Sequence, residues 1–470
     1  MTTAEQEFTS WLTTHGTSIC SDVAFSSFEG MGRGLIATAD IQPDTVIFSL
    51  PRSLLVTTTT SLLPTLLPAD GWSELGGWSP LILIMMYERS RPANPSAFPP
   101  SWAPYFALLP SPESFNSLMF WSDEELSELE GSTVKAKVGR EEAEEEWRDN
   151  VWPFVLKHKE VLAPAGGDEV FLKANFGMDM FHYCGTLILS RSFHVETGTG
   201  GDDSDEEDSD DEEEEKEDVG DVAMVPMADI LNAKSGCDNA RLFYEPLTLN
   251  MMSTSFIPAG SQIFNTYADP PNADLLRRYG HVDDDNAADE VEIGLETIVE
   301  MFVEAHHTTE EEGEARAEWL LEAGLDDTFS IPTSAELSPE IIATIRTFLM
   351  SAAELDKQKK KDTPPRPKMD VEVATWAVKL LERRAASYKT SIKEDEKLMA
   401  NPTELPLRKK MAIQVRLGEK RILQAAKEGI EEFLKEEVKE AASAGKKDKA
   451  KRSRDDVKGS GKGAKKAKGN

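Results

Sequence analysis

Two stretches decide the fold. The first is Val225-Pro-Met-Ala-Asp229-Ile-Leu-Asn232-Ala-Lys-Ser-Gly-Cys-Asp-Asn239. The second is Gly260-Ser-Gln-Ile-Phe-Asn265-Thr-Tyr267-Ala-Asp-Pro-Pro-Asn272-Ala-Asp-Leu-Leu-Arg-Arg-Tyr279-Gly280. In the first, Asp229 and Asn232 are three apart, a spacing that predicts one shared face of a helical turn. Their apolar neighbours place them near a core, where buried polar groups need partners. In the second, Gln262 to Phe264 reads as a strand that Tyr267 ends, and a Pro-Pro loop then leads to a short helix carrying Tyr279. Taken singly, a polar cap and two packing tyrosines would explain these residues.

Upstream, Glu29-Gly30-Met31-Gly32-Arg33-Gly34 alternates three glycines, so the backbone can approach a ligand closely. A dinucleotide fingerprint needs a further glycine where Leu35 stands, and a helix after it; here strand-like Leu35-Ile-Ala follows. Further short strands are predicted at 45–50, 242–244 and 247–251. Residues 80–190 read as mostly helical, with a buried helix at Leu81–Tyr87, a capping box at Ser122–Glu125 and helical spacing from Met178 to Arg191. From about 290 the pattern is helical again. Ser338 reads as an N-cap with Pro339 after it, 356–370 as a loop, and 371–388 and 407–438 as helices.

Composition narrows the function. The chain has 470 residues and a net charge of −34. Residues 202–218 hold 14 acids and one lysine, and residues 446–470 hold 11 bases and three acids. The acidic run, 196–221, is expected to be a disordered loop within a domain, and the tail a disordered signal of nuclear-import type. The rest of the chain, outside these two runs, is itself acidic, which argues against gripping nucleic-acid phosphates and suits a basic protein partner. No apolar run approaches a membrane span, so no membrane partner is expected. The start lacks the basic region of a secretory signal. Three dispersed cysteines, Cys20, Cys184 and Cys237, argue against a disulfide framework or a structural zinc site, and no metal is expected.

The order of these parts resembles the SET-domain protein-lysine methyltransferases: G-x-G then strands, P-x-x-D-x-x-N, a strand ending N-T-Y, then L-L-x-x-Y-G. The interval between first and second parts resembles the Rubisco large-subunit methyltransferase subgroup, whose SET domain is split by a helical insert. Trp102-Ala-Pro-Tyr105, Leu108-Leu-Pro110, Phe120-Trp121 and Ser190-Arg-Ser-Phe193 match that insert and its exit. Leu381-Glu-Arg-Arg384, Tyr388, Glu394-Asp-Glu396 and Arg408–Lys420 match the subgroup's substrate-binding lobe. Pro226-Met-Ala-Asp-Ile-Leu-Asn-Ala233 is most similar to a fungal branch of ribosomal lysine methyltransferases and its animal nuclear relative.

The resemblance implies an α+β fold: a SET β-core of small sheets at 20–285, with a helical insert at about 80–175, then an all-helical substrate-binding lobe at 286–440 and a disordered tail at 441–470. It implies S-adenosyl-L-methionine as cofactor, lined by Glu29, Gly30, Met31, Gly32, Arg33, Gly34, Arg191, Asn232, Ala233 and Tyr279. It places Asp229 and Tyr267 at the substrate-lysine channel, with Tyr267 catalytic. Many SET domains have Asn-His where this chain has Asn232-Ala233, so a histidine side chain has no counterpart there. The implied substrate is a basic protein, a 60S ribosomal protein in the fungal branch, and the implied location is the nucleus, with the cytoplasm also open. Two alternatives stay open: a SET protein methylating histidine, and an acidic, non-catalytic nuclear binding protein.

Overall fold

The computed structural model describes residues 2–68, 72–91, 101–163, 168–195, 222–234, 236–361 and 363–460, with side chains to 440. The acidic run at 196–221 and the last ten residues of the tail lie outside the described residues. The chain divides into two compact units, Met1–Leu126 with Ala136–Ala287, and Ser127–Lys135 with Ala288–Asn470.

The first unit is built on small sheets. Strands β1 (Ser18–Ile19), β2 (Val23–Phe28), β3 (Gly32–Ala37), β4 (Val46–Pro51), β5 (Ser192–His194), β6 (Val222–Met224), β7 (Asn232–Ala233), β8 (Ala240–Tyr244), β9 (Thr248–Ser253) and β10 (Gln262–Asn265) supply them. They form two four-stranded sheets, ordered β1-β4-β9-β8 and β2-β3-β10-β7, and a β5-β6 pair. The alternation is plain in β9, where every second residue is buried, as a half-buried strand requires. The central pairing for function is that of β10, antiparallel to β3 through Ile263 and Leu35 and parallel to β7 through Phe264 and Asn232. One strand thus holds the glycine segment on one edge and the Asn232 segment on the other.

Helices cover this core. Thr3–Thr14, which the sequence reading passed over, begins with a Thr2–Glu5 capping box and buries Phe8, Trp11 and Leu12. Ser79–Ser90 is buried along its whole length from Leu81 to Glu88, as an all-round apolar helix must be. Glu88 survives there because Ser61 and Arg91 bond its two oxygens. Met178–Arg191 packs on it; a Cβ at Gly185 would sit 3.5 Å from Ile82. The Ser122 capping box forms, but the α-helix it opens is one turn, Asp123–Leu126.

In the second unit, Leu295–Glu304, Glu310–Glu322, Pro339–Leu349, Val371–Ala386, Ile392–Met399 and Leu407–Ser460 are helices. Ser338 caps its helix as expected, its hydroxyl accepting from the Ile341 amide. The lobe is not all-helical: β11 (Glu290–Gly294) and β12 (Thr328–Pro332) pair antiparallel. Glu290-Val-Glu-Ile alternates polar and apolar residues, a strand period. Part of the expected 356–370 loop is also helical, within Ala352–Lys359. The last helix runs to Ser460, although disorder was expected from 441; the Ala- and Lys-rich sequence there favours helix. The core centres on Phe302, stacked on Trp376 at 4.2 Å and on Phe348 at 5.1 Å.

A buried polar network closes this unit. Asp395, with no exposure, takes a two-pronged bond from Arg416 and one from Lys420. Burial alone would raise its carboxyl; the Arg416 and Lys420 bonds hold it below the usual range. Arg416 also bonds the Glu128 carbonyl at 2.6 Å, and Glu419 accepts from Ser132 and Tyr388, both at 2.6 Å. Burial pushes Glu419 up to about 7. So the sequence signature at 381–420 is largely the lobe's internal scaffold, and it fastens residues 127–135 into this unit.

Candidate functional site

The glycine segment forms the turn between β2 and β3, where Phe28 pairs with Gly32. Gly30 and Gly32 have φ of +76° and +73°, a region costly for other residues. Glu29, Gly30, Met31 and Gly32 are exposed, while Gly34 is buried. A Cβ on Gly34 would lie 2.8 Å from Asn232 Nδ2 and 2.9 Å from Gln262 Nε2, so only glycine leaves room for the asparagine amide. That amide donates to the Arg33 carbonyl at 3.3 Å. The Arg33 side chain turns elsewhere: Nε pairs with Glu5 at 3.2 Å, and Nη1 bonds the Leu108 carbonyl at 2.7 Å.

Asp229 and Asn232 do not share a helical face. Ala228–Ile230 is a single 3₁₀ turn, and the chain then extends into β7, which carries Asn232 and Ala233. The turn is entered through Met227 at φ +82°, an uncommon conformation for a non-glycine residue and one held only by its surroundings. Its effect is to send Asp229 inward. Asp229 is buried, its Oδ2 accepting from the Tyr105 hydroxyl at 2.7 Å while Oδ1 has no hydrogen-bond partner. Burial raises its carboxyl to about 6, against the pull of Arg191 and the Tyr105 bond.

Arg191 ends the Met178–Arg191 helix and donates from Nη1 to the Asp229 carbonyl at 2.6 Å. Its Nε is buried without a partner. Tyr267 lies two residues beyond β10, followed by Ala268 and Asp269, both at positive φ. Its ring stacks on Tyr279 at 4.5 Å and 8°, and its hydroxyl donates to the Leu231 carbonyl at 3.2 Å. Burial lifts the phenol to about 12; Arg191 opposes this, and Tyr279 and Asp229 add to it. Tyr279 stands on a turn fixed by Gly280, where a Cβ would come within 2.6 Å of the Ser117 amide nitrogen. A small cleft opens beside Tyr267, lined among others by Ala233, Lys234, Asp238, Asp269, His281 and Asp283. Burial lowers the His281 imidazole, with Asp283 pulling the other way.

All the residues singled out in the sequence for a cofactor or a lysine therefore lie in the first unit, on β3, β7, β10, the connected turns and one helix end. A methionine-type cofactor brings a carboxylate and a cationic sulfur centre. The orphaned buried Arg191 Nε is a donor for the first, and the open positions over Gly30 and Gly32 admit a ligand close to the backbone. The residues present fit such a group. Two participants were not marked as site residues. Tyr105 had been noted only as part of the insert's pattern, and His281, two residues past Tyr279, carried no signal of its own.

The comparisons with known proteins point the same way. A family profile described as Rubisco LSMT substrate-binding matches residues 307–423. Ribosomal lysine N-methyltransferase 4 of Saccharomyces cerevisiae is 29% identical over 82% of this chain and 78% of its own length. N-lysine methyltransferase SETD6 of Homo sapiens is 29% identical, covering 83% of each chain. A solved structure of Rubisco LSMT bound to sinefungin and monomethyllysine superposes with a TM-score of 0.66 at 22% identity, over 92% of both chains. The SET domain of LSMT bound to methyl-lysine and AdoHcy gives 0.64 at 21%, over 93% of both. With the β3-β10-β7 arrangement holding glycines, asparagine and tyrosine together, the chain is similar over most of its length to the S-adenosyl-L-methionine-dependent protein-lysine N-methyltransferases of the Rubisco large-subunit methyltransferase group.

Proposed function

We propose that this protein methylates a lysine of a basic, nuclear or nucleus-transiting 60S ribosomal protein. The observation carrying the chemistry is the convergence of Tyr267, Asp229 and Arg191, with one buried donor and one buried acceptor left open. The ribosomal target is supported by the name of the yeast relative and by the net charge of −34, which suits a basic partner. The lysine-rich tail supports nuclear entry.

S-adenosyl-L-methionine, when bound, supplies an electrophilic methyl group on a sulfonium. The protein's work is to hold it and to aim an amine. Glu29 to Gly34 would line it through their backbone, Arg191 Nε would take its carboxylate, and Asn232, Ala233 and Tyr279 would hold it. A lysine amine, ordinarily protonated up to about pH 10.4, reacts only as the free base. A narrow, dry channel disfavours its cation. Tyr267, with its phenol pushed up to about 12, stays a neutral hydroxyl at physiological pH and acts as an aiming group, not a base. Positioning of this kind supplies several kcal/mol of a barrier.

The test is incubation of the purified protein with labelled S-adenosyl-L-methionine and dissociated 60S proteins, followed by sequencing of the labelled band. One labelled lysine is expected. Label on histidine, or cofactor binding without any transfer, would turn the reading to a histidine methyltransferase or to a non-catalytic binding protein.

A further inference from the structure

Tyr105 belongs to the helical insert and precedes Asp229 by 124 residues, yet its hydroxyl donates to Asp229 Oδ2 at 2.7 Å. The ring is fully buried and packed against Phe8 and Phe106. Removing a carboxylate from water is costly unless its oxygens are bonded. Asp229 has one such side-chain bond, from Tyr105, while Oδ1 is buried with no partner. Arg191 Nη1 is engaged with the Asp229 backbone carbonyl, so the arginine favours the carboxylate through space and not by a side-chain bond.

We propose that Tyr105 is a positioning residue for methyl transfer: its hydroxyl fixes the Asp229 carboxyl group in place, leaving Oδ1 to accept a hydrogen bond from the amine of an arriving lysine. The inference rests on the placement of Asp229 in the lysine channel.

The charged and titratable groups facing this pair are Arg191 at the helix end, Tyr267 beyond β10 and Tyr183, which acts on Tyr105. Burial sets the Asp229 carboxyl at about 6, with Arg191, then the Tyr105 bond and the backbone amides of Asp229 and Met227, holding it down. Asp229 is therefore mostly ionised at pH 7, with about one unit to spare. Losing a hydrogen bond to a charged acceptor raises such a group by about one to two units, which moves its protonation into the neutral range. A protonated Asp229 is a weaker acceptor for the lysine amine.

Tyr105→Phe in the full chain tests this, with kcat and KM for the protein substrate measured from pH 6 to 9 and cofactor affinity by calorimetry. KM for the substrate should rise about two- to tenfold at pH 7 and fall back toward wild type by pH 9, with cofactor Kd within about twofold. A loss that is uniform across pH, or an equal loss of cofactor affinity, overturns the proposal. Should Tyr105→Phe fail to fold, Asp229→Asn replaces it: its KM should be high at every pH, and a KM equal to wild type at pH 8 overturns the proposal. A wild-type protein that binds cofactor but labels no lysine sinks the lysine-transferase reading itself. A working wild type with an unshifted Tyr105→Phe profile sinks only the role of Tyr105.

Discussion

At Gly34 the site is decided by the absence of a side chain. Gly34→Ala would press a methyl to 2.8 Å from Asn232 Nδ2 and 2.9 Å from Gln262 Nε2, the far ends of two side chains that can shift. The expected outcome is a folded protein whose cofactor affinity, measured by calorimetry, falls about tenfold, the worth of one misplaced hydrogen bond. Tyr267→Phe is the complementary change. It keeps the ring stacked on Tyr279 and removes only the hydroxyl on the Leu231 carbonyl. Single-turnover transfer should slow by about 10²–10³ while cofactor binding holds, as for loss of one aimed donor. Equal loss of both would make Tyr267 a packing residue. Asn232, Tyr267 and Tyr279 stood out as candidates because each sits in a local pattern. Tyr105 was not recognisable as a site residue, since no local spacing connects it to Asp229. Nor was the course of Asp229 to Asn232, because the turn depends on Met227 at positive φ, which sequence spacing does not encode.

At the level of elements, strands with clean alternation, such as Thr248–Ser253, and helices with caps, such as Pro339–Leu349, were readable. The pairing of β11 with β12 was hidden because helix-forming sequence follows β11 at once, from Leu295. The matched motif at 381–420 was visible, but its role as a polar scaffold was not, because Arg416, Asp395 and Glu128 meet only in three dimensions. Glu419 gives this scaffold a pH dependence. Its folded value, raised by burial to about 7 from an ordinary 4.5, means the native state prefers the protonated form. That contribution is fully present below pH 4.5 and is lost as pH rises through 7. Glu419→Gln removes the titration. Denaturant unfolding should show wild type weakening between pH 5 and 8 by up to roughly 3 kcal/mol relative to the variant. Parallel pH profiles for the two proteins would show that Glu419 does not titrate in this range.

For the whole molecule, charge distribution matters most. With −34 overall, association with a basic substrate should be steered electrostatically, so kcat/KM should fall steeply as salt rises from 50 to 300 mM while kcat holds. A flat salt dependence would remove steering from the account. The acidic run adds to that field, but the strands flanking it are already joined: His194 pairs with Val222 across β5 and β6. Deleting 199–219 should therefore leave a short connection, an unchanged melting temperature and near-normal turnover at physiological salt. A lower melting temperature would give the run a structural part.

The pairing of β10 with both β3 and β7 also sets a clock on biosynthesis. Arg33 and Asn232, whose bond ties the two edges of the site together, lie 199 residues apart. At roughly 5–20 residues per second, the ribosome exposes the glycine hairpin some 10–40 s before its partner strands emerge. During that interval β3 has an open edge on the side β10 will later occupy, a template for wrong pairing. A nascent chain stalled short of residue 262 would leave that edge open to holdase chaperones, and their release would coincide with the first ability to retain the cofactor.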